Sequence, residues 1–303
     1  MSDGQVARAN VTLANGDLTV EIADLGAELA RLRDREGRDY LWNGDPATWK
    51  GRAPLLFPMV GRAAGDVIRV KGAAYPLPQH GFARVSRFER VEATATRCRM
   101  RLQSSEATLS SYPFHFRLDV VFELDGCSLR VIATVRNEGQ SALPCSFGFH
   151  PAFRWPLPNA PAGEPHEIVF ERPERAPVRR LVDGFLSPKA EPTPVADRRL
   201  VLAPSLFEQS ALIFDQLNSR SVIFRAMSGP ALEVLFPDMP HLGVWTKPGA
   251  NFVCIEPWQG FASAEDYDGE FADRPGVVSI APEAERSLHM IIRLDAGPSV
   301  HQA

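Results

Sequence analysis

Between residues 116 and 135 the chain leaves little choice of local structure. Phe116, Leu118, Val120, Phe122 and Leu124 are apolar at every second position, Asp125-Gly126 interrupts, and Leu129, Val131, Ala133 and Val135 resume the period. A repeat of two belongs to a strand with one buried face, and Asp-Gly supplies the backbone a tight hairpin turn needs. Weaker copies of the pattern run along the chain. Asn15-Gly16 joins two short runs within 11–22, with Leu18, Val20 and Ile22 on one face. Residues 26–42 read as a short strand and turn, and 88–102, 231–236, 243–247 and 252–255 as further strands. Leu288, Met290, Ile292 and Leu294 share a face near the end. The apolar runs 211–215 and 221–224, with a polar turn between them, are expected to form another hairpin.

Two prolines, Pro54 and Pro58, bar residues 50–62 from a helix interior or a central ladder, so this stretch is expected to run extended and buried and to present Arg62. Residues 156–196 are rich in Pro, Glu and Arg and are read as a long excursion with short strands. A short helix is expected only within 264–273. Many strands, frequent turns and scarce helix give an all-β sandwich or barrel, with residues 1–303 as one domain.

The net charge of -4 and scattered basic residues give no electrostatic case for nucleic acid. No run approaches the roughly 20 apolar residues of a membrane helix, and Met1-Ser2-Asp3-Gly4-Gln5 carries no apolar leader, so a soluble cytoplasmic protein without a membrane partner is expected. Cys98, Cys127, Cys145 and Cys254 lie far apart without a Cys-x-x-Cys pair, and read as small core residues rather than zinc or redox ligands.

Three segments stand out for chemistry: Leu77-Pro78-Gln79-His80-Gly81-Phe82-Ala83-Arg84, Gly148-Phe149-His150-Pro151-Ala152-Phe153 and Cys254-Ile255-Glu256-Pro257-Trp258-Gln259-Gly260. Each sets an ionisable side chain beside a proline and near aromatics, which holds it on a loop or strand end. A carboxylate at the end of an apolar strand, against an indole, is costly without a partner or a task, which singles out Glu256. Asp215 ends its apolar run similarly, although a turn-starting aspartate is common there. Trp258 suits the apolar face of a sugar ring better than Trp245, which a packed core explains equally well. Arg62 and Arg84 offer forked donors for hydroxyls or a phosphate. His115, His166, His241, His289 and His301 are read as ordinary surface or hydrogen-bonded histidines.

Together with Leu56-Phe57-Pro58-Met59-Val60-Gly61-Arg62, these blocks resemble the aldose 1-epimerase (galactose mutarotase) superfamily, in the form of its LacX-like branch. The resemblance covers most of the chain. It implies a β-supersandwich of large antiparallel sheets, an open sugar cleft, and cofactor-free and metal-free isomerase chemistry of carbohydrate metabolism: interconversion of the α and β anomers of a hexose, by a monomer or homodimer. Carried over block by block, it makes Glu256 the base and His150 the acid. It makes His80 a hydrogen-bonding partner near the ring oxygen and Asp215 a grip on sugar hydroxyls.

Some positions depart from the pattern. The Arg of an Asn-Arg pair in galactose mutarotases proper is missing after Gly61-Arg62, which leaves Arg62 or Arg52 to replace it. The His80-to-Arg84 form is also similar to hexose-6-phosphate mutarotases, where an Arg at this place meets phosphate. Gln259 and Ser263 stand where the LacX-like form usually has Tyr and Asp. Competing readings are a metal site of two His and one carboxylate, a carbohydrate-binding protein without turnover, and a glycosidase, which normally needs two carboxylates.

Overall fold

The alternation at 116–135 becomes the strands Phe116–Asp125 and Ser128–Asn137, paired antiparallel from Ser128↔Asp125 to Asn137↔Phe116. All nine apolar residues that mark the period are buried. The computed structural model describes residues 10–294. Met1 to Gln5 and His301 lie outside them. Among the described residues this hairpin sits inside a nine-stranded antiparallel sheet, ordered Arg199–Val201, His166–Phe170, Ser221–Ala226, Ala231–Leu235, Glu285–Leu294, Ser128–Asn137, Phe116–Asp125, Arg97–Gln103 and Glu89–Ala93.

A second, eight-stranded sheet runs Phe185–Glu191, Val178–Val182, Leu212–Phe214, His241–Trp245, Phe252–Gln259, Phe147–Phe149 and Leu55–Leu56, with Ala152–Arg154 also paired to Phe252–Gln259. Val131 and Ala133 of the first sheet join Leu212, Phe214, Leu242, Val244, Val253 and Ile255 of the second in one continuous apolar cluster, the layer between the sheets. The architecture is the all-β supersandwich expected. The Asn15-Gly16 hairpin forms too, as Val11–Ala14 and Leu18–Ile22, in a separate three-stranded sheet with Leu29–Asp34.

The expected hairpin of 211–224 does not form. Leu212–Phe214 pairs with Val178–Val182 and His241–Trp245, whereas Ser221–Ala226 pairs with His166–Phe170 and Ala231–Leu235 in the other sheet. The burial of the two runs explains why. Ser221–Ala226 alternates buried and half-buried, but every residue of Leu212–Phe214 is buried, because its sheet is covered on both faces. The polar turn between them carries the chain across the sandwich.

The strand expected over 252–255 continues to Gln259, and all eight of its residues are buried. Glu256 therefore lies within a strand, not at its end. The excursion 156–196 holds, besides His166–Phe170, a hairpin of Val178–Val182 and Phe185–Glu191 turned at Asp183-Gly184. The helix expected in 264–273 reduces to one 3-10 turn, Phe271–Asp273. Among the described residues no helix is long and apolar enough to cross a membrane.

Candidate active site

Alternation along Phe252–Gln259 sends Val253 and Ile255 into the sandwich core and Cys254, Glu256 and Trp258 to the opposite face. The neighbouring chain pairs Phe147↔Gln259 and Gly148↔Trp258 before His150, and Ala152↔Cys254 after it. Carried across the two-residue break, that register sets His150 opposite Glu256. Both side chains are nearly buried, and His150 Nε2 lies 3.0 Å from Glu256 Oε2. The approach is out of line for a hydrogen bond, so among the described residues Oε2 has none, and His150 Nδ1 also lacks a partner there. A buried acid–base pair left open in this way is poised to accept hydrogen bonds from, or give them to, something placed between them.

His80 reaches the same place from a loop. Its ring meets that of His150 edge-on at 5.9 Å. His80 itself has φ 66 and Gly81 φ 68, and a Cβ on Gly81 would lie 2.3 Å from Phe57 O. Only glycine lets the loop approach the 55–62 segment so closely. His80 N donates to Gly61 O at 2.8 Å, and Gly61 N donates to His80 Nδ1 at 3.1 Å. That second bond fixes the tautomer: Nδ1 accepts and Nε2 carries the proton. Burial of the ring, helped by the charges of His150, Arg84 and Arg274, holds His80 well below its ordinary pKa. Arg274 is itself buried at 4% exposure, donates to Val60 O at 2.8 Å and to Phe261 O, and is pushed down to about 10 by burial. Nitrogen NMR at pH 6 is therefore expected to find His80 neutral with its proton on Nε2. A doubly protonated ring there would overturn the assignment.

The remaining expected residues divide. Asp215 follows Leu212–Phe214 and lies 3.6 Å from Arg179 Nη1, while its buried Oδ1 has no hydrogen bond among the described residues. Arg179 pairs in register with Ile213, whose side chain packs in one cluster with Trp258. Arg62 is fully engaged: Nε and Nη2 bind Asp66 at 2.8 and 2.9 Å, and Nη1 donates to Asp183 O at 3.3 Å. It latches the 183–184 turn to the loop instead of presenting a free fork. Arg52 donates to Asn43 O and lines a different cavity of about 320 Å³ with Asp39, Trp42 and Arg154. Arg84 donates to Gln79 O at 2.9 Å, has no carboxylate partner among the described residues, and borders an open hollow with Arg62 and Gln79.

Trp258 lies flat across the sheet. A Cβ on Gly148 would meet its Cδ1 at 2.5 Å and one on Gly243 its Cη2 at 2.4 Å, so two glycines on flanking strands make room for one indole. At 4% exposure it forms the floor of the site rather than an open platform. The half-buried Trp49 stacks on the His150 ring at 5.3 Å and Trp245 meets that ring edge-on at 6.1 Å, which leaves them as the indoles beside the acid–base pair. Gly243→Ala is expected to cost roughly 1–3 kcal/mol, because a rigid ring held on both sides cannot yield. An unchanged denaturation midpoint would show that the indole is free to move.

Trp49 and Arg179 were not anticipated. Trp49 sits in a turn with no chemical motif around it. Arg179 stands on the hairpin within the proline-rich stretch, where Asp183-Gly184 is the turn signal that could have located it. The histidines taken as ordinary have ordinary partners: Leu157 N donates to His166 Nε2, Gly260 N to His241 Nδ1, and His115 and His289 meet Ser104 and Asp238. All four cysteines are free.

The chain is similar to known proteins along most of its length. The sequence model of the aldose 1-epimerase family matches residues 9–271. Protein LacX of Lactococcus lactis, in its plasmid form, is 31% identical over 283 residues, which cover 90% of this chain and 95% of that protein. A galactose mutarotase related enzyme from Lactobacillus acidophilus superposes with a TM-score of 0.87 at 30% identity, covering 95% of this chain and 97% of the other. A galactose mutarotase-like protein from Lactobacillus casei also gives 0.87, at 26% identity and coverages of 94% and 99%. A family match over residues 9–271 and a relative 31% identical over 90% of the chain place this chain in the aldose 1-epimerase family.

Proposed function

We propose that the protein is a mutarotase, interconverting the α and β anomers of an aldose by acid–base ring opening, with a small sugar as its only required partner. The observation that carries this reading is the His150–Glu256 pair, 3.0 Å apart and out of line for a hydrogen bond, with His80 against it. A cyclic hemiacetal carries two oxygens on one carbon: the anomeric hydroxyl, which must lose a proton, and the ring oxygen, which must gain one. An acid and a base a hydrogen-bond length apart can serve both. Glu256 takes the hydroxyl proton, His150 protonates the ring oxygen as the C1–O5 bond breaks, and the neutral His80 donates Nε2–H to charge developing there. Rotation about C1–C2 and reclosure, with the proton carriers exchanging roles, give the other anomer. Asp215, held beside Arg179, grips hydroxyls, and Trp49 and Trp245 face the apolar edge of the ring.

The test is saturation-transfer NMR on glucose, galactose and glucose 6-phosphate. Catalysed exchange on at least one sugar is expected. Sugar binding by titration without exchange would leave a binding protein and remove the enzymatic reading.

One observation favours an anionic substituent on the sugar. Arg84 borders the open hollow beside the His80 loop without a carboxylate partner among the described residues, unlike Arg62. If it meets a phosphate, Arg84→Ala should raise KM for the phosphorylated sugar on the order of 10-fold or more, from loss of a charge-assisted contact, and leave the free sugar nearly unaffected. Equal losses on both sugars would assign Arg84 to the loop alone.

A further inference from the structure

The acid–base pair has a third neighbour that proton transfer does not use. Cys254 precedes Glu256 by two residues in the same strand, so both side chains leave the sheet on one face, and the register sets His150 across from Glu256. One ligand atom from each of His150, Cys254 and Glu256 lies within 4.8 Å of the other two, and all three residues are buried. Trp42, Trp49 and Trp245 pack against the small apolar cluster that Cys254 forms with Ala152 and Phe252. Among the described residues Glu256 Oε2 finds no hydrogen bond.

We infer that this cluster is an inhibitory site for a thiophilic divalent cation of the zinc class. Nitrogen, sulfur and carboxylate oxygen are the donors such an ion takes, and three protein ligands leave a fourth position toward the cleft for water. Tetrahedral bond lengths set donors roughly 3.5 Å apart, so small side-chain rotations bring the cluster into range. The His150 Nε2 lone pair, the Glu256 carboxylate and the Cys254 sulfur bind the ion, and both the Nε2 proton of the acid form of His150 and the thiol proton leave to solvent. Hard oxygen-seeking ions such as magnesium gain little from sulfur and do not compete. Occupancy ties up both proton carriers at once, so the metal is an inhibitor and not a cofactor. The site differs from a pair of histidines with a carboxylate in that a thiolate, not His80, completes it. Its inhibitory consequence rests on the mutarotase reading; its metal chemistry does not.

Two measurements on the full chain separate these. In the first, the chelator-treated protein is titrated with cobalt(II) as the probe. One equivalent is expected to produce the intense near-ultraviolet band of thiolate-to-cobalt charge transfer, absent in Cys254→Ser and in Cys254→Ala. In the second, zinc is added at buffered free concentrations during anomer exchange. Wild type should lose exchange and recover it with chelator, while Cys254→Ser keeps its exchange rate and needs at least 10-fold more zinc for the same inhibition. Absence of the thiolate band, or equal zinc sensitivity in both cysteine variants and wild type, would overturn the site. If no sugar shows exchange, the cobalt spectrum alone still decides it.

Discussion

Glu256→Gln is expected to lower catalysed anomer exchange by about 10²–10⁴-fold, the range a positioned proton carrier contributes, and to leave sugar binding largely intact. The amide keeps the shape and still hydrogen-bonds a hydroxyl, but it cannot take the proton. The fold should not suffer. Glu256 is 2% exposed, and among the described residues its Oε2 meets just the out-of-line His150 at 3.0 Å, so removing the charge relieves a desolvation cost. Exchange rates, a binding titration and a denaturation midpoint, measured together, check each part. A near-wild-type rate would take Glu256 out of the mechanism. A parallel loss of binding would make it a gripping residue.

Arg225→Leu is expected to do the reverse: about 2–3 kcal/mol of stability lost, with exchange unchanged. Glu167 is also a buried strand glutamate, wholly inaccessible, but it is fully answered. Arg225 donates to its Oε1 from Nε and Nη2 at 2.9 and 2.7 Å, and Arg199 donates to its Oε2 at 2.7 Å. Burial would raise the Glu167 pKa, yet the hydrogen bonds and charges of the two arginines outweigh it and hold the carboxyl below its ordinary range. A carboxylate lowered in the folded state contributes stability above its unfolded pKa, and that contribution is lost as pH falls through the folded value. The deficit of Arg225→Leu in chemical denaturation should therefore be full at neutral pH and shrink in acid. A deficit that is constant with pH would mean lost packing, not a lost ion pair.

These two glutamates show where sequence reading reached and where it stopped. Each lies in an apolar strand context, and nothing local says that Glu167 is flanked by arginines from two other strands while Glu256 faces a histidine. What singled out Glu256 was the company of Pro257 and Trp258 and the likeness of its block to a known family. Arg62 and Arg84 looked equivalent as forked donors, but a partner four residues along, Asp66, occupies the first. Trp258 was preferred to Trp245 for its place beside Glu256, yet that place buries it across Gly148 and Gly243. Asp215 stood out at the end of its apolar run and took its role from the family pattern, whereas Arg179, which meets it, came only from the fold.

Local alternation determined the strands, because a period of two survives wherever one face of a sheet is buried and the other is not, as from Phe116 to Val135. Glycine and proline determined where the chain turns and where His80 is held. Which strands pair was decided by tertiary structure. Leu212–Phe214 and Ser221–Ala226 are near in sequence and belong to different sheets, since a strand buried on both faces carries no alternation to declare its side. The site was decided the same way. Its acid and base come together through the register of Phe147–Phe149 and Ala152–Arg154 against Phe252–Gln259, over a separation of about a hundred residues that no local pattern encodes.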